Sequence, residues 1–194
     1  MTRTRLSRSE RSARTRSELL EVAERRFYRD GYHGTSLEAI TEEAGYTKGA
    51  VYSVFESKAG LFLALLDEMI DRRLEEVAAA FAEHPLGPER VKAFAERPVD
   101  ERAQRWRLLA IEFMVHAARE PELLEQFAAR YRRMRAGLAA LASETSTPLG
   151  ADSWAIVTLA LANGLALERT IDPEAVPDDL MARAQRLLYP PRGD

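Results

Sequence analysis

The chain has 194 residues, 46% of them hydrophobic, with no cysteine and a formal net charge of −3 at pH 7. This length and composition are sufficient to bury a sizeable core, and the lack of cysteine excludes disulfides and thiolate metal sites. No apolar run approaches the ~20 residues of a membrane-spanning helix, and the N-terminus lacks the apolar stretch of a signal peptide. We therefore expect a soluble, cytoplasmic protein with no membrane partner.

Charge is distributed unevenly along the chain. Residues 1–60 contain 11 Lys+Arg and 9 Asp+Glu, whereas residues 61–194 contain 17 and 22. An acidic body with a basic leading edge would orient on a polyanion. Residues 1–13 are rich in arginine and have no apolar face, so we expect a flexible basic arm. Such an arm is either a solubilising tail or a segment that follows the DNA backbone or enters the minor groove.

The first predicted helix runs from Arg14 to Asp30. Leu19, Leu20, Ala23 and Phe27 recur at helical spacing there, and Gly31 is expected to end the helix. The helix would pack across the next two and complete a three-helix head.

Residues 35–55 have the pattern of a helix-turn-helix. Thr35 with Glu38 predicts a capping box at the start of one helix, and Gly45 is expected to end it in the left-handed conformation. Thr47 is predicted to cap a second helix, which spans residues 48–55. The outward side of that helix would carry a small polar and aromatic face that a major groove admits. This face consists of Lys48, Gly49, Tyr52 and Ser53.

Lys48 and Lys58 are two of only three lysines in the chain, and each is predicted at the first position of a helix. The helix macrodipole disfavours a cation there by roughly 0.3–1 kcal/mol. Either both are solvated surface lysines, or a phosphate lies across both helix starts and removes the penalty. The capped turns around them favour the phosphate.

A set of short motifs with fixed spacing runs through this region. They are Gly31-Tyr32, Thr35-Ser36, Ala44-Gly45, Thr47-Lys48-Gly49, Val51-Tyr52, Phe55 and Ser57-Lys58. As a set, these motifs resemble the DNA-binding segment of the TetR family of one-component transcriptional regulators. Thr41, Tyr46 and Ser53 depart from the usual residues of that family. Because the position of Ser53 often faces bases, the operator sequence cannot be borrowed from relatives.

The resemblance also implies the roles of individual residues at DNA. Phosphate contacts are expected from Thr35, Ser36, Tyr52 and Lys58. Base contacts are expected from Thr47, Lys48, Gly49 and Ser53.

The rest of the chain is predicted to be helical, which gives an all-α fold of about nine helices. A long helix from Lys58 to about Ala82 would join the head, residues 14–57, to a ligand-binding and dimerisation body, residues 58–190. The further predicted helices span residues 89–95, 100–119 and 121–141, a segment capped by Asp152, and a last one around 180–188. Between residues 124 and 141 the apolar positions follow a heptad spacing.

An apolar cavity in the body is the predicted effector site. Its expected lining is Met69, Phe94, Trp106, Phe113, His116, Phe127, Tyr131 and Trp154. The alternative is ordinary core, which is the more frequent use of aromatic residues at helical spacing. A ligand in the cavity is expected to shift the long helix at Lys58 and change the separation of two heads.

The last two helices are expected to form a homodimer interface. The helix after Asp152 is apolar almost all round, so one side would face the body and the other a second copy. Two heads on such a dimer predict a near-palindromic operator. We therefore expect a DNA-binding regulator, by family default a repressor, that is released by a small, largely apolar effector.

The sequence argues against two other classes of protein. An enzyme is disfavoured because the chain has only His33, His84 and His116, and Glu112 with His116 is a lone pair; no cofactor or metal is expected. The second class is an all-α ligand-binding or adaptor protein that no longer binds DNA. Lys48, Tyr52, Lys58 and the basic arm argue against that class.

Overall fold

The computed structural model describes residues 7–83, 101–142 and 149–188. All regular elements in these ranges are helical, which confirms the all-α class. The helices are α1 (Arg8–Gly34), α2 (Leu37–Glu43), α3 (Lys48–Val54), α4 (Lys58–Ala82), α5 (Glu101–Ala117), α6 (Pro121–Ala142), α7 (Ala151–Ile171) and α8 (Leu180–Leu188), with a 3-10 turn at Pro173–Ala175. The predicted helix at 89–95, the cap Asp100 and the side chain of Phe94 lie outside the described residues.

The start of α1 corrects the expected arm. Ser7 and Glu10 form a capping box, in which the Ser7 hydroxyl accepts from the Glu10 N–H at 3.2 Å and the Glu10 carboxylate accepts from the Ser7 N–H at 2.7 Å. This pairing satisfies two N–H groups at the helix start. Residues 8–13 are therefore helical rather than flexible, while residues 1–6 lie outside the described ranges.

The helix-turn-helix is present, but its first cap lies one residue later than predicted. Ser36, not Thr35, caps α2 and accepts from the Ala39 N–H at 3.1 Å. Gly45 has φ +71°, as expected for a left-handed helix stop, and Thr47 caps α3 as predicted. Ser57 caps α4 in the same way by accepting from Gly60.

One apolar cluster extends from the head into the body. It includes side chains of α1, α2, α3 and the first half of α4, together with residues of α5 and α6. Phe27, Tyr32, Phe62 and Phe113 are each at most 2% exposed within it. The head therefore shares a core with the adjoining parts of α4, α5 and α6. The division into a head, residues 14–57, and a body, residues 58–190, remains a prediction.

A second apolar cluster lies further from the head, between α4, α6 and α7. Val77 and Phe81 of α4 pack with Leu138 of α6 and with Trp154 of α7. α6 contacts both α4 and α7. Its predicted heptad face is wrong at one end, since Leu124 is 37% exposed and Leu123 is buried in its place.

The cap of α7 also differs from the prediction. Gly150, with φ +74°, is the N-cap residue and makes no side-chain cap bond, so Asp152 lies in the first turn of the helix. A carboxylate in the first turn still interacts favourably with the helix dipole, which explains why its sequence signal resembles a cap. No single described helix has the length and apolar composition to cross a membrane, although α3 and α4, which meet at a 55° bend, pass that test as a pair.

Candidate DNA-binding surface and ligand cavity

α3 presents an exposed polar face on the side opposite its buried one. Lys48, Gly49, Tyr52 and Ser53 are all exposed, and Tyr52 keeps 48% of its surface accessible. Val51, on the other side of the helix, is fully buried. The orientation expected from the sequence is therefore confirmed, and the contact of this face with DNA stays a prediction.

The hydroxyl groups near this face differ in what they can offer to DNA. Ser36 and Thr47 are exposed caps whose oxygens accept from backbone N–H groups, so each hydroxyl hydrogen can donate to a phosphate. The Ser53 hydroxyl donates to the Ala50 carbonyl at 2.7 Å. While it keeps that bond, Ser53 can act toward a base only as an acceptor.

Thr35 does not fit its expected phosphate contact. Its side chain is 2% exposed, and its hydroxyl donates to the Gly31 carbonyl at 2.8 Å. The hydroxyl thus closes the end of α1, where backbone carbonyls lack helical partners. The sequence prediction for the Thr35 side chain is therefore corrected.

Lys58 is half-buried, and its ammonium is engaged by the protein backbone rather than presented to a phosphate. Its Nζ donates to the carbonyls of Tyr32 and Thr35, each at 2.9 Å, and lies 4.3 Å from the centroid of the Tyr32 ring. The negative end of the α1 dipole offsets the unfavourable position at the start of α4. Burial lowers the pKa of the Lys58 ammonium. The idea that one phosphate explains both lysines is thus wrong for Lys58.

Lys48 remains available at the surface. Its ammonium lies 3.4 Å from a carboxylate oxygen of Glu38, and the two side chains are 66% and 52% exposed. An exposed pair of this kind contributes little to stability, so the lysine can exchange Glu38 for an acceptor on DNA at small cost. The Lys48 ammonium also lowers the pKa of Glu38, after the larger effect of a backbone hydrogen bond.

Glu112 of α5 attaches the end of α1 to the body. Its two carboxylate oxygens accept from the backbone N–H groups of Tyr32 and His33 at 3.0 and 2.8 Å. Gly31 makes this possible, because its φ of +74° and ψ of 174° turn the chain so that both N–H groups face the carboxylate. A Cβ at residue 31 would lie 3.0 Å from Glu112 Oε2.

A chain of aromatic contacts connects this attachment to the interior of the body. The Trp106 ring stacks on Phe62 with centroids 5.6 Å apart, and Phe62 stacks on Phe113 at 4.2 Å. Phe113 meets the edge of Tyr32 at 4.9 Å. Side chains of α5, α4 and α1 are therefore in direct contact between the body and the head.

The body contains a cavity of about 620 Å³ between α4, α5, α6, α7 and α8. Its apolar lining includes Leu66, Met69, Trp106, Met134 and Leu159, and its polar lining includes Tyr131, Asn163, Thr158 and Gln185. This volume falls in the usual range for sites of small molecules.

Three of the eight residues predicted to line the cavity do so, namely Met69, Trp106 and Tyr131. Phe113 and Phe127 belong to the shared core instead. His116 packs against Tyr32 and His33, with ring centroids 5.1 and 5.4 Å apart, at the junction of head and body. Phe94 is outside the described residues.

Trp154 lies behind the wall of the cavity. It is fully buried, and its indole N–H donates to Gln185 Oε1 at 3.2 Å. Gln185 in turn donates to the Thr158 hydroxyl at 3.0 Å. Sequence reasoning assigned Trp154 to the lining but missed Thr158 and Gln185, because aromatic spacing does not report which polar side chains of α7 and α8 meet.

α7 and α8 expose apolar side chains on the outer side of the body. Ile156, Leu167 and Ile171 are 52%, 40% and 77% exposed, and Leu187 of α8 is 83% exposed. On α7 these residues are spaced 11 and 4 apart, which places them along one side of the helix. Their exposure means that no other described part of the chain covers this side of α7.

The described residues contain no group of three or more histidine, aspartate or glutamate side chains placed to hold a metal ion. The geometry is instead that of a helix-turn-helix attached to a helical body with a cavity, which is the architecture of a DNA-binding regulator.

Comparisons with known proteins give the same class. The family model for bacterial regulatory proteins of the tetR family matches residues 19–65, and the model for the C-terminal part of BetI-type transcriptional repressors matches residues 88–188. The chain belongs to the TetR family of bacterial transcriptional regulators. Its relatives are regulators of transcription and not enzymes.

Individual relatives match over different lengths. The chain is 38% identical over 102 residues to the HTH-type transcriptional regulator TtgR of Pseudomonas putida, which covers 50% of this chain and 49% of TtgR. The chain thus spans about half the length of this curated relative. A transcriptional regulator from Rhodococcus sp. Rha1 superposes with a TM-score of 0.64 at 26% identity, over 89% of this chain and 92% of the other.

A regulator from Saccharomonospora viridis, solved in complex with choline, has the same fold. Its TM-score is 0.70 at 20% identity, over 90% of this chain and 94% of that one.

Proposed function

We propose that the protein is a repressor that binds a near-palindromic operator as a homodimer and leaves it when a small, largely apolar effector enters the cavity. DNA binding would take place in the cytoplasm. The observation that carries the proposal is the exposed face of α3, in which Lys48 and Tyr52 project from a helix whose opposite side is buried in the head core.

Base reading is assigned to Thr47, Lys48, Gly49 and Ser53, and phosphate binding to Ser36 and Tyr52. One short helix reads few base pairs, and each good contact discriminates by about 1–3 kcal/mol. A single head is therefore insufficient, and two heads about one turn of duplex apart would supply the specificity.

The dimer interface is assigned to α7 and α8. The exposed Ile156, Leu167, Ile171 and Leu187 form an apolar surface that a second copy would cover across a two-fold axis. Two helices from each copy would then form a four-helix interface.

The effector is assigned to the cavity of about 620 Å³. The similar regulator from Saccharomonospora viridis was solved in complex with choline, which supports a small-molecule effector for this chain. Trp106 lies at the cavity wall and contacts Phe62 of α4, so a ligand there is in a position to shift the helix that carries the head.

Footprinting of the DNA that flanks the gene tests the proposal. We expect the purified protein to protect an inverted repeat and Lys48→Ala/Tyr52→Ala to abolish the protection, whereas Arg132→Ala, on the surface of α6, leaves it intact. If the protein ignores duplexes of every sequence even at low salt, it is not a DNA-binding repressor, and the ligand-binding or adaptor class replaces it.

A further inference from the structure

Arginine dominates the charged lining of the cavity. Among its described lining residues there are five arginines, against the two carboxylates Glu76 and Asp178. Glu76 pairs with Arg73 at 3.1 Å, and Asp178 pairs with Arg169 at 2.5 Å. Both lining carboxylates are therefore already matched by one arginine each.

Two further arginines of the lining share one carboxylate that comes from the head. Glu24 of α1 forms a close hydrogen bond with Arg102 of α5, and its other oxygen lies 3.6 Å from Arg72 of α4. The hydrogen bond with Glu24 raises the pKa of Arg102. Arg72 is the more distant of the two arginine partners of Glu24. One carboxylate is thus shared by two guanidinium groups, and these three side chains have a formal charge of +1 between them.

Arg72 has a weak partner on its cavity side. Its Nη2 lies 3.3 Å from Met69 Sδ, and a thioether is a poor acceptor for a charged donor. A carboxylate or sulfonate would accept two parallel hydrogen bonds from the same guanidinium group. Arg72 is thus a charged hydrogen-bond donor at the edge of an apolar cavity, where a better acceptor than the thioether could bind it.

The remainder of the cavity suits an apolar body attached to that anion. Met69, Trp106, Met134 and Met181 line it from four helices. Burial raises the pKa of the Tyr131 hydroxyl in the same wall, so this part of the lining is shielded from water. The Arg72 and Arg102 side chains are 40% and 51% exposed, so they lie at the solvent-facing edge of the cavity, where an anionic group can reach them while its apolar body enters.

We propose that the cavity binds an amphipathic organic anion, a carboxylate or sulfonate on an aromatic or aliphatic body, and that this anion competes with Glu24 for Arg72 and Arg102. The inference rests on the cavity being the effector site of the proposed function. It also gives the ligand a direct effect on the head, because Glu24 belongs to α1 and the two arginines belong to the body. An anion that occupies the guanidinium groups loosens this link.

The test uses two fluorescent probes that share the same rings. The full-length protein is titrated with 8-anilinonaphthalene-1-sulfonate and with N-phenyl-1-naphthylamine, which lacks the sulfonate. We expect the sulfonate to bind about tenfold more tightly, as for one added charge-assisted contact. Arg72→Met should remove this advantage and leave the affinity for the neutral probe unchanged.

Competition is tested by Glu24→Gln, which removes the carboxylate that the ligand must displace. We expect the sulfonate affinity to rise at least about threefold, and the affinity for the neutral probe to stay the same. Glu68→Gln is the matched control, because Glu68 forms a 3.0 Å ion pair between α4 and Arg16 of α1 but does not line the cavity. It changes the net charge equally and should leave both affinities unchanged.

Equal affinity for the two probes would refute the proposal that the cavity prefers an anion. An equal rise of the sulfonate affinity in Glu24→Gln and Glu68→Gln would refute the proposal that the ligand competes with Glu24. Because neither titration contains DNA, its outcome is separate from that of footprinting. A chain that fails to protect DNA but shows the expected order of affinities refutes the repressor and supports the anion site. Protection of DNA with no preference for the sulfonate refutes the anion site alone.

Discussion

Lys48 and Lys58 occupy equivalent positions, the first residue of a helix, but their ammonium groups have different surroundings. Lys58 donates to two carbonyls at the end of α1 and lies over the ring of Tyr32. Lys48 is exposed beside Glu38. At the scale of single residues, one lysine therefore stabilises the head and the other is available to a ligand.

Replacing each lysine by methionine separates these roles. Lys58→Met leaves the carbonyls of Tyr32 and Thr35 without their donor, and we expect a loss of about 1–3 kcal/mol in the free energy of unfolding. Lys48→Met should change it by no more than about 0.5 kcal/mol but lower DNA affinity and reduce the salt slope by about one. Urea unfolding and salt-dependent binding measure the two effects. Equal destabilisation by both variants would contradict this assignment.

At the scale of elements, the end of α1 is attached to the body from two sides. Glu112 of α5 accepts from the N–H groups of Tyr32 and His33, and Lys58 of α4 donates to carbonyls of the same segment. This bent segment therefore fixes the orientation of α1 relative to α4 and α5. Gly31 is essential to it, because the backbone at φ +74° and ψ 174° is accessible almost only to glycine.

Gly31→Ala tests this attachment against a neighbouring glycine. We expect it to lower the free energy of unfolding by about 1–3 kcal/mol. Alanine would have to adopt a strained backbone conformation there, and its Cβ would lie 3.0 Å from Glu112 Oε2. Gly34→Ala is the control, because Gly34 has no positive φ and its Cβ would meet Asp30 at an ordinary 3.5 Å. Urea denaturation of both variants decides, and equal stability of the two would refute the role of Gly31.

At the scale of the whole molecule, the apolar outer side of α7 and α8 stays exposed to solvent in a single chain. Ile171 and Leu187 are more than three-quarters exposed, although the same helices bury Trp154 and Gln185 inside the body. Exposed apolar surface of this kind is commonly covered by another molecule. A second copy would also place two heads on one assembly, as the proposed operator requires.

Leu167→Glu is expected to weaken the proposed dimer by about a hundredfold or more, because a two-fold axis places the new charge in the interface twice. Sedimentation equilibrium gives the dissociation constant of wild type and variant. Val115→Glu is the matched control, since Val115 is an exposed apolar residue like Leu167, at 52% against 40%, but lies on α5. A monomeric wild type, or equal effects of the two changes, would exclude α7 from the interface.

Local sequence determined the helical elements and most of their ends. Gly45, Thr47 and Ser57 act as predicted because a cap or a left-handed stop involves only residues within one turn. The outward face of α3 followed from helical periodicity for the same reason. The cap of α2 was predicted at Thr35 instead of Ser36 because the two side chains have the same capping chemistry. The hydrogen bond of Thr35 with the Gly31 carbonyl decides between them, since it leaves Ser36 as the cap.

The tertiary structure decided which side chains meet across helices. Lys58, Glu112 and the pair Arg72 and Arg102 have partners 23 to 80 residues away in the chain, and no local pattern specifies such distances. The cavity lining was predicted in part for the same reason: the spacing of Phe113, Phe127 and Trp154 marks them as inward-facing, but filled core and cavity wall have the same apolar periodicity. Packing alone distinguishes them, since it depends on the volumes that several helices bring together.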